Sequence, residues 1–145
     1  MFGYKQKFLY LETKHHYMFP NMETFYYICI LKKYIMVKYD LELTEEAVEF
    51  ITGCDIATQK KILKTLDKVK QGFFGSYYSK MSGTDGLYEC RVDTKDHWLR
   101  LLTKHYKSDD GTIVIVLHGF KKKENKIPPK EIRKAEKIYE RLARE

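Results

Sequence analysis

Residues 111–123 have the sequence GTIVIVLHGFKKK, and the rest of the chain is organised around this stretch. The continuous apolar run at 113–117 predicts a strand that is buried on both faces. His118 follows this run, and after two more residues come three consecutive lysines. A histidine and a cluster of cations at the end of a buried strand favour chemistry on a phosphate group.

Upstream of this strand, the sequence predicts one strand and two helices. Residues 36–43 alternate in part between apolar and polar types, which indicates a strand. Thr44 is a good N-cap for a short helix that ends at Gly53. A second helix is expected to begin at Asp55 and to end near Gln71, with its apolar stripe formed by Ile56, Ile62, Leu63, Leu66 and Val69.

The second half of the chain predicts a sheet followed by a helix. A glycine-containing loop is expected over residues 73–84. Three closely spaced strands follow it, namely Leu87–Asp93, Trp98–Tyr106 and Thr112–Phe120. The last two are joined by Asp109-Asp110-Gly111, which has strong turn chemistry. Two prolines then end the sheet, and a helix is expected to begin near Lys130.

The lengths of two loops predict a row of three functional side chains. If Thr94–His97 joins the first two of these strands, Arg91 faces Arg100. If Lys107–Gly111 joins the next two, Arg100 faces His118. Facing residues of an antiparallel sheet point to the same side. A guanidinium group can donate two parallel hydrogen bonds to phosphate oxygens, and an imidazole can transfer a proton near neutral pH. The row therefore predicts a site for phosphate chemistry.

The composition restricts the partner and the compartment. The net charge of +7 indicates a polyanionic partner, either a nucleic acid or an acidic protein. The chain has three cysteines, an odd number without metal-ligand spacing, which favours a reducing cytoplasm and argues against a disulfide framework or a metal site. No apolar run approaches the roughly 20 residues of a membrane span, so a cytoplasmic protein is expected.

The second half of the chain contains three linked motifs, GLYECR at 86–91, WLRLL at 98–102 and LHGFKKKENKIPPKEI at 117–132. Together they resemble the RelE/HigB toxin superfamily, specifically its phage-derived HigB-like branch. The sequence AEKI at 135–138 is similar to the closing helix of that branch. The sequence departs from the branch pattern at Thr103, where an aromatic residue is usual, and at Asn125, where glutamine is usual.

The resemblance covers about residues 38–145 and implies an α+β fold. The expected order is β-α-α-β-β-β-α, with an antiparallel sheet packed against helices. We therefore expect a RelE/HigB-like toxin domain over 36–145 and an N-terminal extension of unknown role over 1–35.

The resemblance also implies a function. The expected protein is the toxin of a type II toxin–antitoxin pair, a metal-independent and cofactor-free endoribonuclease that cleaves mRNA in the ribosomal A site. The usual chemistry is attack by the ribose 2′-hydroxyl on the adjacent phosphate. Its partners would be a cognate antitoxin, the ribosome and mRNA.

The resemblance assigns roles to single residues. Arg91, Arg100 and His118 match the catalytic strand positions. The matching basic segment, expected to bind RNA, comprises Lys121, Lys122, Lys123 and Lys126. His118 is the preferred general base, with a lysine or Glu89 as the alternative. A tyrosine that stacks on a base is not identified by sequence, and the candidates are Tyr77, Tyr78 and Tyr106.

Two other functions fit the same scaffold. The first is a non-catalytic ParE-like toxin that inhibits gyrase, a branch that generally lacks the arginine and histidine row. The second is a degenerate module that keeps only the antitoxin-binding surface. The presence of the three residues in the row favours the nuclease over the ParE-like toxin.

Overall fold

The computed structural model describes residues 38–145. Its elements follow one another as β1 (Asp40–Leu43), α1 (Glu45–Thr52), α2 (Ile56–Lys70), β2 (Tyr78–Lys80), β3 (Leu87–Asp93), β4 (Trp98–Ser108), β5 (Gly111–Lys122) and α3 (Pro129–Arg144). The predicted N-terminal extension, 1–35, lies outside the described residues. The boundary between that extension and the domain therefore stays a prediction.

One five-stranded sheet, in the order β1-β5-β4-β3-β2, forms the centre of the described residues. β1 runs parallel to β5, whereas the other neighbours are antiparallel. The α+β class is therefore confirmed, but the sheet is mixed rather than wholly antiparallel. It also contains β2, which falls inside the predicted loop 73–84. This edge strand has three residues, too few for an alternating pattern to be recognised.

The ends of the first two helices follow the predicted capping chemistry. The side chain of Thr44 accepts a hydrogen bond from the Ala47 amide at 3.1 Å, and Asp55 accepts one from the Thr58 amide at 2.9 Å. These side chains satisfy amides that have no partner within the helix. None of the three helices of residues 38–145 is both long enough and apolar enough to cross a membrane.

The core lies on both sides of β5. All five residues at 113–117 are buried, as the apolar run predicts. On α2, Ile62, Leu66 and Val69 are also buried, but Ile56 is 66% exposed and Leu63 is 51% exposed. The predicted stripe of α2 was therefore too wide, because the helix rests on the sheet along a narrower line than its apolar residues suggest.

The predicted register is correct between β3 and β4 and wrong between β4 and β5. Arg91 faces Arg100, as predicted. Arg100, however, faces Phe120, and His118 faces Leu102. The turn contains only two residues because Ser108 pairs with Gly111, which shifts the register by one position.

A β-bulge in β5 adds a second shift of one position. Thr103 pairs with Val116 and Leu102 with His118, so Leu117 is the extra residue. Two shifts of one residue return His118 to the face predicted for it, since side chains alternate with a period of two. His118 therefore shares a face with Arg100, although the two residues do not face each other.

Helix α1 docks against the bulge. The Thr44 hydroxyl donates to the Leu117 carbonyl at 2.5 Å, and the Thr44 amide donates to Val116 at 3.1 Å. The first bond satisfies the carbonyl of the bulged residue, and the second continues the pairing of β1 with β5, in which Leu43 faces Val116. Gly119 is required here because a Cβ at that position would lie 2.2 Å from the Phe50 ring. Thr44 and Gly119 thus fix the position of α1 at the exit of β5.

Candidate functional site

Alternation along the strands places three rows of side chains on one face of the sheet. Each row runs across β3, β4 and β5, and adjacent rows are two residues, or about 7 Å, apart. The rows are Asp93–Trp98–Lys122, Arg91–Arg100–Phe120 and Glu89–Leu102–His118. The first two are called the open rows and the third the covered row.

The open rows present charged and aromatic groups to solvent. The side chain of Arg91 is 41% exposed and that of Asp93 is 53% exposed. Trp98 is 53% exposed, although large aromatic residues are more often largely buried. Arg100 lies between them with only 7% of its side chain exposed. This part of the face is therefore available to a ligand that carries both an anionic group and a planar ring.

A buried carboxylate connects the two arginines. Glu89 accepts a hydrogen bond from Arg91 Nη2 at 2.9 Å, and its other oxygen lies 2.9 Å from Arg100 Nε. The second contact is a close ion pair without hydrogen-bond alignment. The Glu89 side chain is 8% exposed, so both interactions are only weakly screened by water. Glu89 therefore holds the two guanidinium groups side by side.

The remaining contacts of the arginines differ. Arg100 Nη1 donates to Asp93 at 2.5 Å and to the Leu99 carbonyl at 2.7 Å, so this side chain is fixed. Arg91 donates to the Ser76 carbonyl at 3.0 Å. The hydrogen bond to Glu89 raises the pKa of Arg91. Arg91 is the more exposed of the two arginines and can contact an anion without leaving Glu89.

His118 lies in the covered row beneath the first turn of α3. It is 1% exposed, and its Nε2 atom is 3.0 Å from the Glu131 carbonyl oxygen. Because a carbonyl can only accept, Nε2 carries the proton. The Nδ1 atom lies 3.7 Å from the Glu131 carboxylate. Burial lowers the pKa of His118 despite this acidic neighbour.

The structure does not bring the four predicted RNA-binding lysines together. Lys122 lies on the open rows opposite Trp98, whereas Lys121 pairs with Leu99 and points to the other face of the sheet. Lys123 and Lys126 are exposed in the segment between β5 and α3. Lys122 is therefore the lysine that shares the face of Arg91.

None of the three candidate tyrosines lies in the open rows. Tyr78 is buried on the opposite face, where its hydroxyl bonds Thr103 at 2.7 Å. Tyr77 packs against the same core. Tyr106 is exposed on the site face, but it lies six residues from Arg100, about 20 Å along β4.

Trp98 is an exposed aromatic residue of the open rows that is not among the three candidate tyrosines. The signal was present, because the predicted register already placed Asp93 opposite Trp98. The same register put Arg91 in the neighbouring row. What the register alone did not reveal was exposure, which depends on the elements that cover the face.

Comparison with known proteins gives a family and a fold. The family model of the phage-derived protein Gp49-like matches residues 49–140. A mutant of the E. coli toxin RelE in the free state aligns with a TM-score of 0.50 at 16% identity, covering 72% of this chain and 98% of that one. This alignment confirms the predicted RelE-like fold.

Two further solved structures align less closely. The intact E. coli RelBE toxin–antitoxin complex gives a TM-score of 0.45 at 17% identity, covering 59% of this chain and 99% of that one. The isolated E. coli RelE toxin gives 0.46 at 17% identity, covering 66% and 96%. No curated protein sequence matches the chain.

Proposed function

This chain belongs to the phage-derived Gp49-like family, and we propose that it is the toxin of a type II toxin–antitoxin pair that cleaves mRNA in the ribosomal A site. Its fold is shared with a protein described as an E. coli toxin. The proposed partners are a cognate antitoxin, the ribosome and mRNA, and the proposed location is the cytoplasm. The proposed reaction needs neither a metal nor a cofactor.

The observation that carries this proposal is the pair of arginines joined by Glu89 beside an exposed tryptophan. In the proposed reaction, the ribose 2′-hydroxyl loses its proton to a general base and attacks the adjacent phosphorus. The bond to the 5′-oxygen breaks, this oxygen takes a proton from water, and the products are a 2′,3′-cyclic phosphate and a 5′-hydroxyl. Arg91 binds the phosphate oxygens and stabilises the charge that develops on them. Arg100 keeps Glu89 in place and adds a second positive charge to the site.

The nucleobase has a suitable surface next to the arginines. Trp98 offers an exposed ring on which an unpaired base can stack, a contact that single-stranded RNA uses regardless of sequence. Lys122, which faces Trp98, contacts a neighbouring phosphate. In this proposal, Lys121, Lys123 and Lys126 contact phosphates farther along the RNA.

His118 is the proposed general base. With the Nε2 proton donated to Glu131, the lone pair of Nδ1 is free to take the proton of the 2′-hydroxyl. A pKa below the ordinary value keeps the ring neutral and able to accept this proton. Because His118 is 1% exposed beneath Glu131, this step requires the first turn of α3 to move away. Water then replaces the Glu131 carbonyl as the acceptor of the Nε2 proton, and the pKa of the ring rises towards its ordinary value.

Primer extension on mRNA in a translating extract tests the proposal. Wild-type protein is expected to cut mRNA at codons held in the A site. Arg91→Ala is expected to lower the cleavage rate about 10²–10³-fold, the typical cost of removing a group that stabilises developing charge. Lys107→Ala removes the same charge from an exposed position outside the open rows and should retain the activity.

Three results would contradict the proposal. Cleavage that Arg91→Ala leaves unchanged would remove the arginine pair from the mechanism. Gyrase inhibition without mRNA cleavage would identify a ParE-like toxin. Antitoxin binding without either activity would identify a degenerate binding module.

A further inference from the structure

A basic groove lies between α3 and the first turn of α1. Its volume is about 650 Å³. Six charged residues line it, namely Glu46, Lys130, Arg133, Lys134, Lys137 and Arg141. Glu46 belongs to the beginning of α1, which docks at the β5 bulge, so the groove is on the β1–β5 side of the sheet. Arg91 lies on β3, beyond β5 and β4 in the strand order.

The charge of this groove is strongly positive. Five cations and one carboxylate line it, so its formal charge is 5 − 1 = +4. Arg141 Nη2 lies 2.6 Å from Glu46 Oε1, which ties the carboxylate to one of the five cations. Partial burial is the largest single effect on Glu46 and raises its pKa, but the hydrogen bonds and the charge of Arg141 together outweigh it, so the pKa of Glu46 is lowered. Four cations remain to attract an anionic partner.

The cations form an extended row rather than a cluster. Positions 130, 134, 137 and 141 recur every three or four residues and share one face of α3. The row is about 16 Å long at 1.5 Å per residue. A single phosphate would contact only a small part of this length. A polymer with regularly spaced negative charges matches the row along its whole length.

The groove lacks the features of a protein interface. Tight protein interfaces are centred on buried aromatic or aliphatic anchors. The apolar residue that lines this groove is Ile138, which is only 5% exposed and cannot serve as such an anchor. Charge without apolar surface is instead typical of contacts to a nucleic acid backbone.

We propose that the basic groove binds the phosphodiester backbone of RNA at a second contact, separate from the open rows. The choice of RNA over other polyanions rests on the proposed function. The groove positions the protein on RNA through Lys134, Lys137 and their neighbours, without reading its sequence. The open rows then bind a nucleotide, while the basic groove holds α3 against the RNA.

Fluorescence anisotropy with the full chain tests the groove. The probes are a fluorescein-labelled single-stranded RNA of 12 nucleotides and a labelled RNA duplex, each titrated at several salt concentrations. The test variant is K134E/K137E. The matched control is K60E/K64E, which makes the same charge change on the exposed side of α2. Both variants lower the formal net charge from +7 to +3.

The two variants should differ in affinity and in salt dependence. The groove variant is expected to bind at least about tenfold more weakly than the control. Its plot of log affinity against log salt for the single strand should be shallower by about 1.4, because two phosphate contacts are lost at about 0.7 each. Equal losses in both variants, or no loss in either, would overturn the inference. Retained RNA binding with lost antitoxin binding would identify an acidic protein as the occupant instead.

The binding test of the basic groove can fail or succeed independently of the cleavage test of the proposed function. If wild-type protein fails to cleave mRNA but the two variants still differ in RNA affinity, the nuclease proposal fails and the groove proposal stands. If Arg91→Ala abolishes cleavage while K134E/K137E binds both probes like the control, only the groove proposal fails. Circular dichroism melting of each variant confirms that the exposed substitutions leave the fold intact.

Discussion

The open rows and the covered row occupy the same face of the same sheet, yet they differ in access. In the open rows, Arg91 and Trp98 are roughly half exposed. The covered row is about 7 Å from the Arg91 row and about 14 Å from the Trp98 row, and in it His118 is 1% exposed beneath Glu131 of α3. The groups suited to binding a nucleotide are therefore accessible, whereas the group suited to proton transfer is covered.

This difference shows that phosphate binding and proton transfer require different degrees of burial. An arginine that binds phosphate keeps its charge at any physiological pH and works well when partly exposed. A histidine that accepts a proton must remain neutral, and burial achieves this by lowering its pKa. The cover that keeps His118 neutral also excludes the substrate, so movement of α3 is central to the proposed mechanism.

The largest expected effect is on stability and separates the two arginines. Arg100→Ala leaves the buried Glu89 without its close ion pair and is expected to lower the free energy of unfolding by about 3–5 kcal/mol. Arg91→Ala removes an exposed partner of the same carboxylate and is expected to cost no more than about 1 kcal/mol. Urea denaturation followed by circular dichroism measures both values.

A double variant tests whether the stability lost in Arg100→Ala comes from the unpaired Glu89 carboxylate. Arg100→Leu combined with Glu89→Leu removes both charges and should be more stable than Arg100→Ala alone, because no unpaired buried carboxylate remains. If the double variant is no more stable than the single one, the loss comes from packing, and Glu89 does not organise the pair.

The next largest effect concerns binding in the open rows. Trp98→Ala is expected to weaken binding of single-stranded RNA about 10–100-fold, the range for loss of one stacked base. Trp98→Phe should retain much of the affinity because it keeps an aromatic ring. Trp98 is the only tryptophan of the chain, so quenching of intrinsic fluorescence by RNA reports directly on this position.

Phe73→Ala is the matched control for the tryptophan. Phe73 is similarly exposed at 54% but lies outside the three rows. Equal weakening by Phe73→Ala and Trp98→Ala would mean that exposed aromatic rings bind RNA without regard to position. Quenching that an abasic RNA reproduces would exclude base stacking at Trp98.

The smallest expected effect is a pH dependence that belongs to the covered row. Burial lowers the pKa of His118 in the folded state, so the unfolded chain binds more protons between that pKa and the ordinary value near 6.5. Its contribution to stability is therefore complete above about pH 6.5 and is lost as the pH falls. Urea denaturation at pH 7.5 and 5.5 measures the difference.

Two variants assign this pH dependence. His118→Gln should reduce the difference between the two pH values, although its stability at pH 7.5 is lower than that of the wild type. Arg91→Ala, in the open rows, should show the wild-type difference. If His118→Gln and the wild type lose equal stability on acidification, another group is responsible.

Local patterns were sufficient for much of the fold. The apolar run at 113–117, the caps at Thr44 and Asp55, and the facing pair Arg91 and Arg100 all follow from periodicity and loop length. These features depend on neighbours in the sequence or on a single loop of obvious length. They could be derived from the chain alone for that reason.

Other features depended on contacts between distant segments. β2 forms only because its three residues pair with β3, and the bulge at Leu117 is supported by Thr44, which is 73 residues away in the chain. The link that Glu89 makes between the two arginines required both the register and the burial. No local pattern encodes such contacts, so from the sequence Glu89 was only an alternative general base.

By itself, the sequence determined which residues of each strand share a face, because side chains alternate along every strand with a fixed period of two. His118 lies on the face predicted for it because two register shifts of one residue, at the turn and at the bulge, cancel each other. Only the tertiary structure decided which part of that face is open and which lies under α3. Exposure is set by the packing of helices from distant parts of the chain, and this packing separates Trp98 and Arg91 from the covered His118.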